Sequence, residues 1–240
     1  ADLSPLLAEA GVSGTVLVQT METAADTDFM LELADKTGFI KGVVGWVDMK
    51  SPDAATEIAR RAKHPVFRGV RPMLQGIEDV AWIDDPALDT AVDALVKHGL
   101  VFDALVLPPN LPHLLSFARR HPQLPVVIDH GAKPLIATGH YSGWRSDMAA
   151  LAALSNVHCK LSGLLTERGD QRPEAVRPYA ETILELFGAN RVIFGSDWPV
   201  LRLAGDYQVW LDFCRDIVPA EDYAAVFGGN AIRFYSLSDR

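Results

Sequence analysis

The chain has 240 residues, 49% of them hydrophobic and 22% charged, with a formal net charge of −9. A chain of this size and composition buries a sizeable core, and its acidity excludes a general nucleic-acid or anionic-membrane surface, both of which need clustered Lys and Arg. The two cysteines, Cys159 and Cys214, are too few for a disulfide framework or a cysteine metal cage and read as reduced, buried thiols.

The predicted elements alternate along the chain. Residues 2–10 (DLSPLLAEA) carry a helical pattern and feed an apolar strand at 14–19 (GTVLVQ). A helix is predicted over Ala24–Lys36, where Phe29, Met30, Leu31, Leu33 and Ala34 stand among acids, and a strand over 42–48 (GVVGWVD). The next strand covers 66–74 (VFRGVRPML), followed by a helix over 86–98 that opens with Pro86 after two aspartates and closes at Gly99. Strand 101–107 (VFDALVL), helix Leu111–Arg120, strand 125–130 (PVVIDH), helix 147–154 and strand 157–163 (VHCKLSG) come next. Helix 174–187, strand 192–198 (VIFGSDW) and helix 206–217 complete the pattern.

Continuous apolar runs that end in a polar residue are the signature of strands buried on both faces of a parallel sheet. No strand is followed by G-x-G-x-x-G or a P-loop, which argues against nucleotide binding. Polar residues instead close almost every strand: Gln19, Asp48, Arg71, His130, Ser162 and Asp197. A site fed by many strand ends is what a barrel builds at its C-terminal face, whereas an open sheet gathers its site at one switch point. The expectation is a TIM-type (β/α)8 barrel forming a single domain over 1–240. With seven strands in the sequence, closure of an eight-stranded barrel calls for a further strand N-terminal to Ala1. No run approaches the ~20 apolar residues of a membrane span, and no signal pattern opens the chain, so a cytoplasmic protein is the default expectation.

Seven segments in order resemble one family. RVIFGSDWPV at 191–200 is similar to the last barrel strand of the amidohydrolase-related lactonases, which include fucono-, rhamnono- and pyrone-dicarboxylate lactonases. GVSGTVLVQT looks like their second strand, GVVGWVD the third, FRGVRPMLQ the fourth, VFDALV the fifth, VVIDHGAKP the sixth and CKLSG the seventh. The closing FGGNAIRFY is similar to their terminal helix. The family opens with a strand bearing His-x-His, and all seven histidines of this chain are isolated. The resemblance implies one divalent, zinc-like metal, for which His130 and Asp197 are the ligands this chain offers alongside such a His-x-His strand. Because catalytic zinc usually takes ~3 protein ligands, an empty or weakly held metal position is expected for the chain as given.

The residues suggest roles. Asp197 closes a buried strand, where a carboxylate can take a proton from water attacking a lactone carbonyl; the plainer reading is a cap for the following helix. His130, as a neutral imidazole, can polarise that carbonyl or ligate metal; a lone core histidine bonded to backbone is the alternative. Arg68 and Arg71 flank Gly69, and a buried arginine must meet a carboxylate or carbonyl. Their spacing puts them on opposite faces of an ideal strand, so one is expected at the substrate unless the strand ends before Arg71. Arg71, nearer the C-terminal end, is the stronger choice. Gln19, Lys133 and Trp198 are further expected substrate contacts, Lys133 toward an anionic group. Asp129 is expected on the pleat face opposite His130, and Lys160 in a buried ion pair with Asp103 or Asp197. Ser162 and Ser196 lack a G-x-S-x-G elbow, so water attack is favoured over an acyl-enzyme.

The expected activity is therefore hydrolysis of a sugar lactone or related cyclic ester, with or without metal. The alternatives are decarboxylation of an unsaturated or aromatic acid, and a barrel that binds a small molecule without turning it over. The expected partner is a small-molecule lactone, with a homo-oligomer as a further expectation.

Overall fold

The structure, a computed structural model, describes residues 2–238. Helix α1 (Leu3–Ala10) ends on Gly11, whose φ of 71° gives the left-handed cap that glycine adopts without steric cost. Then follow β1 (Thr15–Val18), α2 (Ala24–Lys36), β2 (Ile40–Gly45), α3 (Ala54–Arg61), β3 (Phe67–Val70) and α4 (Asp89–Lys97). The order continues with β4 (Val101–Ala104), α5 (Leu111–Arg120), β5 (Val126–Ile128), α6 (Ser142–Ala152) and β6 (Val157–Leu161). It closes with α7 (Arg177–Phe187), β7 (Val192–Phe194), α8 (Tyr207–Ile217) and α9 (Asn230–Phe234). Among the described residues no helix is long and apolar enough to cross a membrane.

The seven strands form one sheet in sequence order, and each neighbouring pair is parallel. Alternation along the strands divides the core in two. Val43, Phe67, Phe102, Val126, Ile128 and Cys159 join the large cluster packed under the helices. Val44, Val101, Val127 and Ile193 form a second cluster with Val16 and Val18 on the opposite face. Side chains from β1 and β7, the two edges of the sheet, meet in this inner cluster, so the sheet curls on itself in the manner of a TIM barrel. The segment after α9 plugs it: Phe234 and Tyr235 belong to the inner cluster, with Leu237 packed against it.

The strands stop short of the expected segments, because their polar last residues leave the ladder to form the rim. The third strand ends at Val70 rather than running to residue 74, and the fifth at Ile128. Helix α3 was not expected: it is eight residues long with Ile58 its one large buried apolar residue, so its apolar face rests on very few positions. Helix α6 starts at Ser142, ahead of the predicted 147, and a short 3-10 turn over Pro86–Leu88, capped by the Asp85 side chain, precedes α4. Both cysteines are free and buried, and burial pushes their thiols up, away from reactivity.

Across the barrel interior runs a chain of buried charges. Lys160 Nζ lies 2.6 Å from Asp103 Oδ2 and 2.6 Å from Asp129 Oδ1. Arg71 Nη1 donates to Asp129 Oδ2 at 2.9 Å, and the Tyr235 hydroxyl donates to Asp103 Oδ2 at 2.9 Å. The expected Lys160–Asp103 pair is present, and the second carboxylate is Asp129 rather than Asp197. Burial opposes ionisation of Asp129, but Lys160 and Arg71 outweigh it and hold its carboxyl well below the usual range. At Asp103 burial dominates and pushes the carboxyl up despite Lys160.

Removing one member of a dry ion network leaves an unpaired buried charge, which costs far more than the pair contributes. Lys160→Met is therefore expected to lower unfolding stability by about 3–5 kcal/mol in urea melts; a loss under ~1 kcal/mol, the scale of an exposed pair, would mean that the network is not dry. A second expectation concerns His158, whose ring packs 4.7 Å from that of Phe234. Burial, helped by Arg191 and Arg233, lowers this imidazole to about 4. The unfolded chain then takes up a proton that the folded one resists. Stability contributed by neutral His158 is complete above about pH 6.5 and is lost as the pH falls toward about 4. His158→Phe should flatten the melting-temperature decline across that window; an unchanged pH profile would refute the assignment.

Candidate active site

The C-terminal ends of β5, β6 and β7 bring three side chains together. His130 follows β5, and its Nδ1 sits 2.8 Å from the Ser162 hydroxyl just beyond β6. Its Nε2 faces Asp197 Oδ1, beyond the end of β7, at 3.6 Å. His130 and Asp197, expected to converge with Arg71, face each other here, and Ser162 joins them. Burial pushes the His130 imidazole below its ordinary value, although Asp197 and Asp129 pull the other way, so the ring is neutral near pH 7.

The backbone that delivers these groups is strained. His130, Gly131, Ala132 and Lys133 have φ of 52°, 57°, 62° and 47°, a left-handed turn that costs roughly 1–2 kcal/mol per non-glycine residue. Lys133 N donates to His130 O at 2.9 Å, and the Trp144 indole donates to Gly131 O at 2.7 Å, holding the turn. Asp197 is also left-handed, at φ 55°. Strain of this kind persists only where the surroundings enforce it, and it concentrates at functional sites. Two glycines clear the space. A Cβ on Gly163 (φ 65°) would lie 2.6 Å from the His130 ring, and one on Gly195 would lie 3.0 Å from Ser162 Cβ.

Arg71 and Gln19 form a reciprocal pair at the adjoining rim. The Gln19 side-chain amide donates to Arg71 O at 2.7 Å, and the Arg71 guanidinium donates to Gln19 O. Because β3 ends at Val70, Arg71 escapes strict alternation and turns into the barrel, as Arg68 does. Arg68, however, lies toward the N-terminal end of β3, its stem against Gly42, which also adjoins Leu237 of the plug. Arg68, expected beside Arg71 as a substrate contact, thus sits lower in the barrel than the strand-end residues. Gln19 is fully buried and holds Arg71 through its side-chain amide, while its Oε1 has no hydrogen-bond partner among the described residues. Lys133 faces Glu167 Oε1 at 3.6 Å, a carboxylate of the protein rather than a free position for a substrate anion. Trp198 is half-buried against the outer core, and its indole Nε1 has no hydrogen-bond partner among the described residues.

Gly163 and Gly195 are the site residues that sequence reasoning passed over, and Ser162 was named as a strand end without a role toward His130. Ser162 was weighed only as a nucleophile, and the glycines gave no signal until the His130 ring was in place. Two hollows lie outside this constellation: one of about 180 Å³ lined by Trp46, Asp48 and Arg61, and one of about 500 Å³ lined by Pro108, Leu135 and Tyr141.

His130 Nε2 and Asp197 Oδ1 have a separation that one ion with ligand distances of about 2.0–2.2 Å can span. Among the described residues no group of three or more His, Cys, Asp or Glu side chains assembles a metal cage. Two donors fall short of the usual three of catalytic zinc, so the described residues do not by themselves fit that ion.

With this fold and site, the chain belongs to the amidohydrolase family, whose model matches residues 1–237. Within it, the chain stands with the lactonases that hydrolyse cyclic esters. It is 53% identical over 245 aligned residues to an L-fucono-1,5-lactonase of Burkholderia ambifaria, covering 98% of this chain and 84% of that protein. An L-fucono-1,5-lactonase of Burkholderia multivorans is 34% identical, covering 99% of this chain and 85% of that protein. A crystal structure of an amidohydrolase from Burkholderia multivorans, with zinc bound, superposes with a TM-score of 0.93 at 34% identity and covers 99% of this chain and 88% of that one.

Gly163→Ala tests the packing of the site. The added methyl collides with the His130 ring and strains a left-handed residue, so stability should fall by about 1–3 kcal/mol and activity should be lost in the protein that still folds. Wild-type activity in a folded Gly163→Ala protein would mean that His130 does not occupy this position during turnover.

Proposed function

We propose that the protein hydrolyses L-fucono-1,5-lactone, or an aldonolactone of matching stereochemistry, by direct attack of water on the ring carbonyl. The observation that carries this reading is the meeting of His130 and Asp197, 3.6 Å apart at the strand ends, in a chain 53% identical to a protein of that name. Asp197 takes a proton from water as its oxygen bonds to the carbonyl carbon. The carbonyl oxygen becomes an oxyanion, which His130 stabilises by donating a hydrogen bond. As the tetrahedral intermediate collapses, the bond from carbon to the ring oxygen breaks. The proton held by Asp197 passes to that ring oxygen, which leaves as a hydroxyl, and the product is the open-chain aldonic acid.

Substrate binding falls to the rim. Arg71 Nε and Trp198 Nε1 are donors without a hydrogen-bond partner among the described residues, and Gln19 Oε1 is an acceptor in the same condition. Buried orphans of this kind cost about 1–3 kcal/mol each, and a polyhydroxylated ring is the ligand that would satisfy donors and acceptors together. His130 and Asp197 are the two donors that the described residues would offer a divalent metal; a metal held on His130 Nε2 would replace the hydrogen on that nitrogen and supply the carbonyl polarisation in its stead.

The assay is lactone opening on a panel of aldonolactones, with acid release and carbon dioxide both monitored. Asp197→Asn keeps the shape of the side chain but cannot accept the proton, so kcat should fall ~10²–10⁴-fold, with KM changing much less. Carbon dioxide release would instead mark a decarboxylase. Lactone binding without turnover would mark a binding barrel.

A further inference from the structure

We infer that Ser162 is a positioning residue: its hydroxyl donates to His130 Nδ1 and thereby fixes the ring as the tautomer that carries its proton on Nε2, aimed at the site. Ser162 is 1% exposed, so its hydroxyl proton needs an acceptor within the protein. Among the described residues His130 is the one hydrogen-bond partner of that hydroxyl, with Nδ1 at 2.8 Å. A neutral imidazole has one donor nitrogen and one acceptor nitrogen. If Nδ1 accepts, Nε2 carries the hydrogen. The far side of the ring agrees: Nε2 looks onto the Asp197 carboxylate at 3.6 Å, where a lone pair would face negative charge and an N–H is attracted to it.

The surrounding backbone is shaped to keep this pair. Gly163 leaves room for the ring and Gly195 for the serine side chain, each at a distance where a Cβ would intrude. The neighbouring sheet bonds set the heights of both strand ends, with Gly195 N donating to Leu161 O at 3.1 Å and the Trp210 indole donating to Gly195 O at 2.9 Å. A serine here costs nothing to the barrel core and converts a ring free to choose its tautomer into one with a fixed donor direction. That donor is the group the lactonase reading assigns to the carbonyl oxygen, so the inference rests on that reading for its consequence but not for its geometry.

The test is nitrogen-15 NMR of histidine-labelled full chain, treated with chelator and kept free of substrate, at a pH where His130 is neutral. The His130 signals are identified by their loss in His130→Asn. The expected spectrum has the proton on Nε2 and an unprotonated, hydrogen-bonded Nδ1. Ser162→Ala should let the Nδ1–H tautomer appear and lower kcat ~10–100-fold with KM little changed, and Ser162→Cys, which keeps a weak donor, should recover part of both. A wild-type ring protonated on Nδ1 overturns the inference, as does a folded Ser162→Ala protein with unaltered tautomer and kcat. Should Ser162→Ala fail to fold, the wild-type spectrum decides by itself. A chain that has the Nε2–H tautomer but opens no lactone would defeat the lactonase reading and leave this one standing.

Discussion

The structure depends on two carboxylates buried inside a barrel. Asp103 on β4 and Asp129 directly after β5 are both fully shielded from solvent, and an apolar interior cannot hold them unpaired. Lys160 answers both from β6, Arg71 adds a second cation from the end of β3, and Tyr235 reaches up from the closing segment. Three strands, a rim residue and the plug are thus tied to one electrostatic knot. A well-packed apolar layer could give equal stability. What the knot adds is position: Asp129 immediately precedes His130, so the anchored carboxylate sets where the left-handed turn begins and which way the imidazole faces.

Above the knot the local chemistry is neutral and directional. Burial holds His130 uncharged, and Ser162 occupies its inner nitrogen. Asp197 stands across from the outer nitrogen on a residue with strained backbone. A neutral donor and a carboxylate base on opposite sides of one small gap is the arrangement that water attack on an ester carbonyl requires. Neither group does this alone. The carboxylate without the donor leaves the oxyanion unsupported, and the donor without the carboxylate leaves water a poor nucleophile.

Much of this was legible in the sequence, for identifiable reasons. Apolar runs such as VVIDH and VIFGSDW, each closed by a polar residue, already state that strands are buried and that their ends carry function. That rule singled out His130, Arg71 and Asp197 as strand-end residues, and the structure sets His130 and Asp197 facing each other. Alternation fixes a face but not a height, and Arg68 faces inward at the lower end of β3. Gln19 and Lys133 have the right elements but protein partners of their own, which spacing does not reveal. The contact of Ser162 with His130 escaped notice because the two come from different strands. Helix α3 escaped because eight residues with one large buried side chain are too short a window for the helical period to be read.

The central claim is that water, not a protein side chain, attacks the lactone, with Asp197 serving only to move a proton. Single turnover in oxygen-18 water, with enzyme in excess over L-fucono-1,5-lactone, separates the two possibilities. The account predicts one oxygen-18 atom in the carboxylate of the aldonic acid after the first turnover, and none in the Asp197 side chain. Unlabelled product from the first turnover, with the label found in Asp197 by peptide mass analysis, would contradict it and make Asp197 the nucleophile.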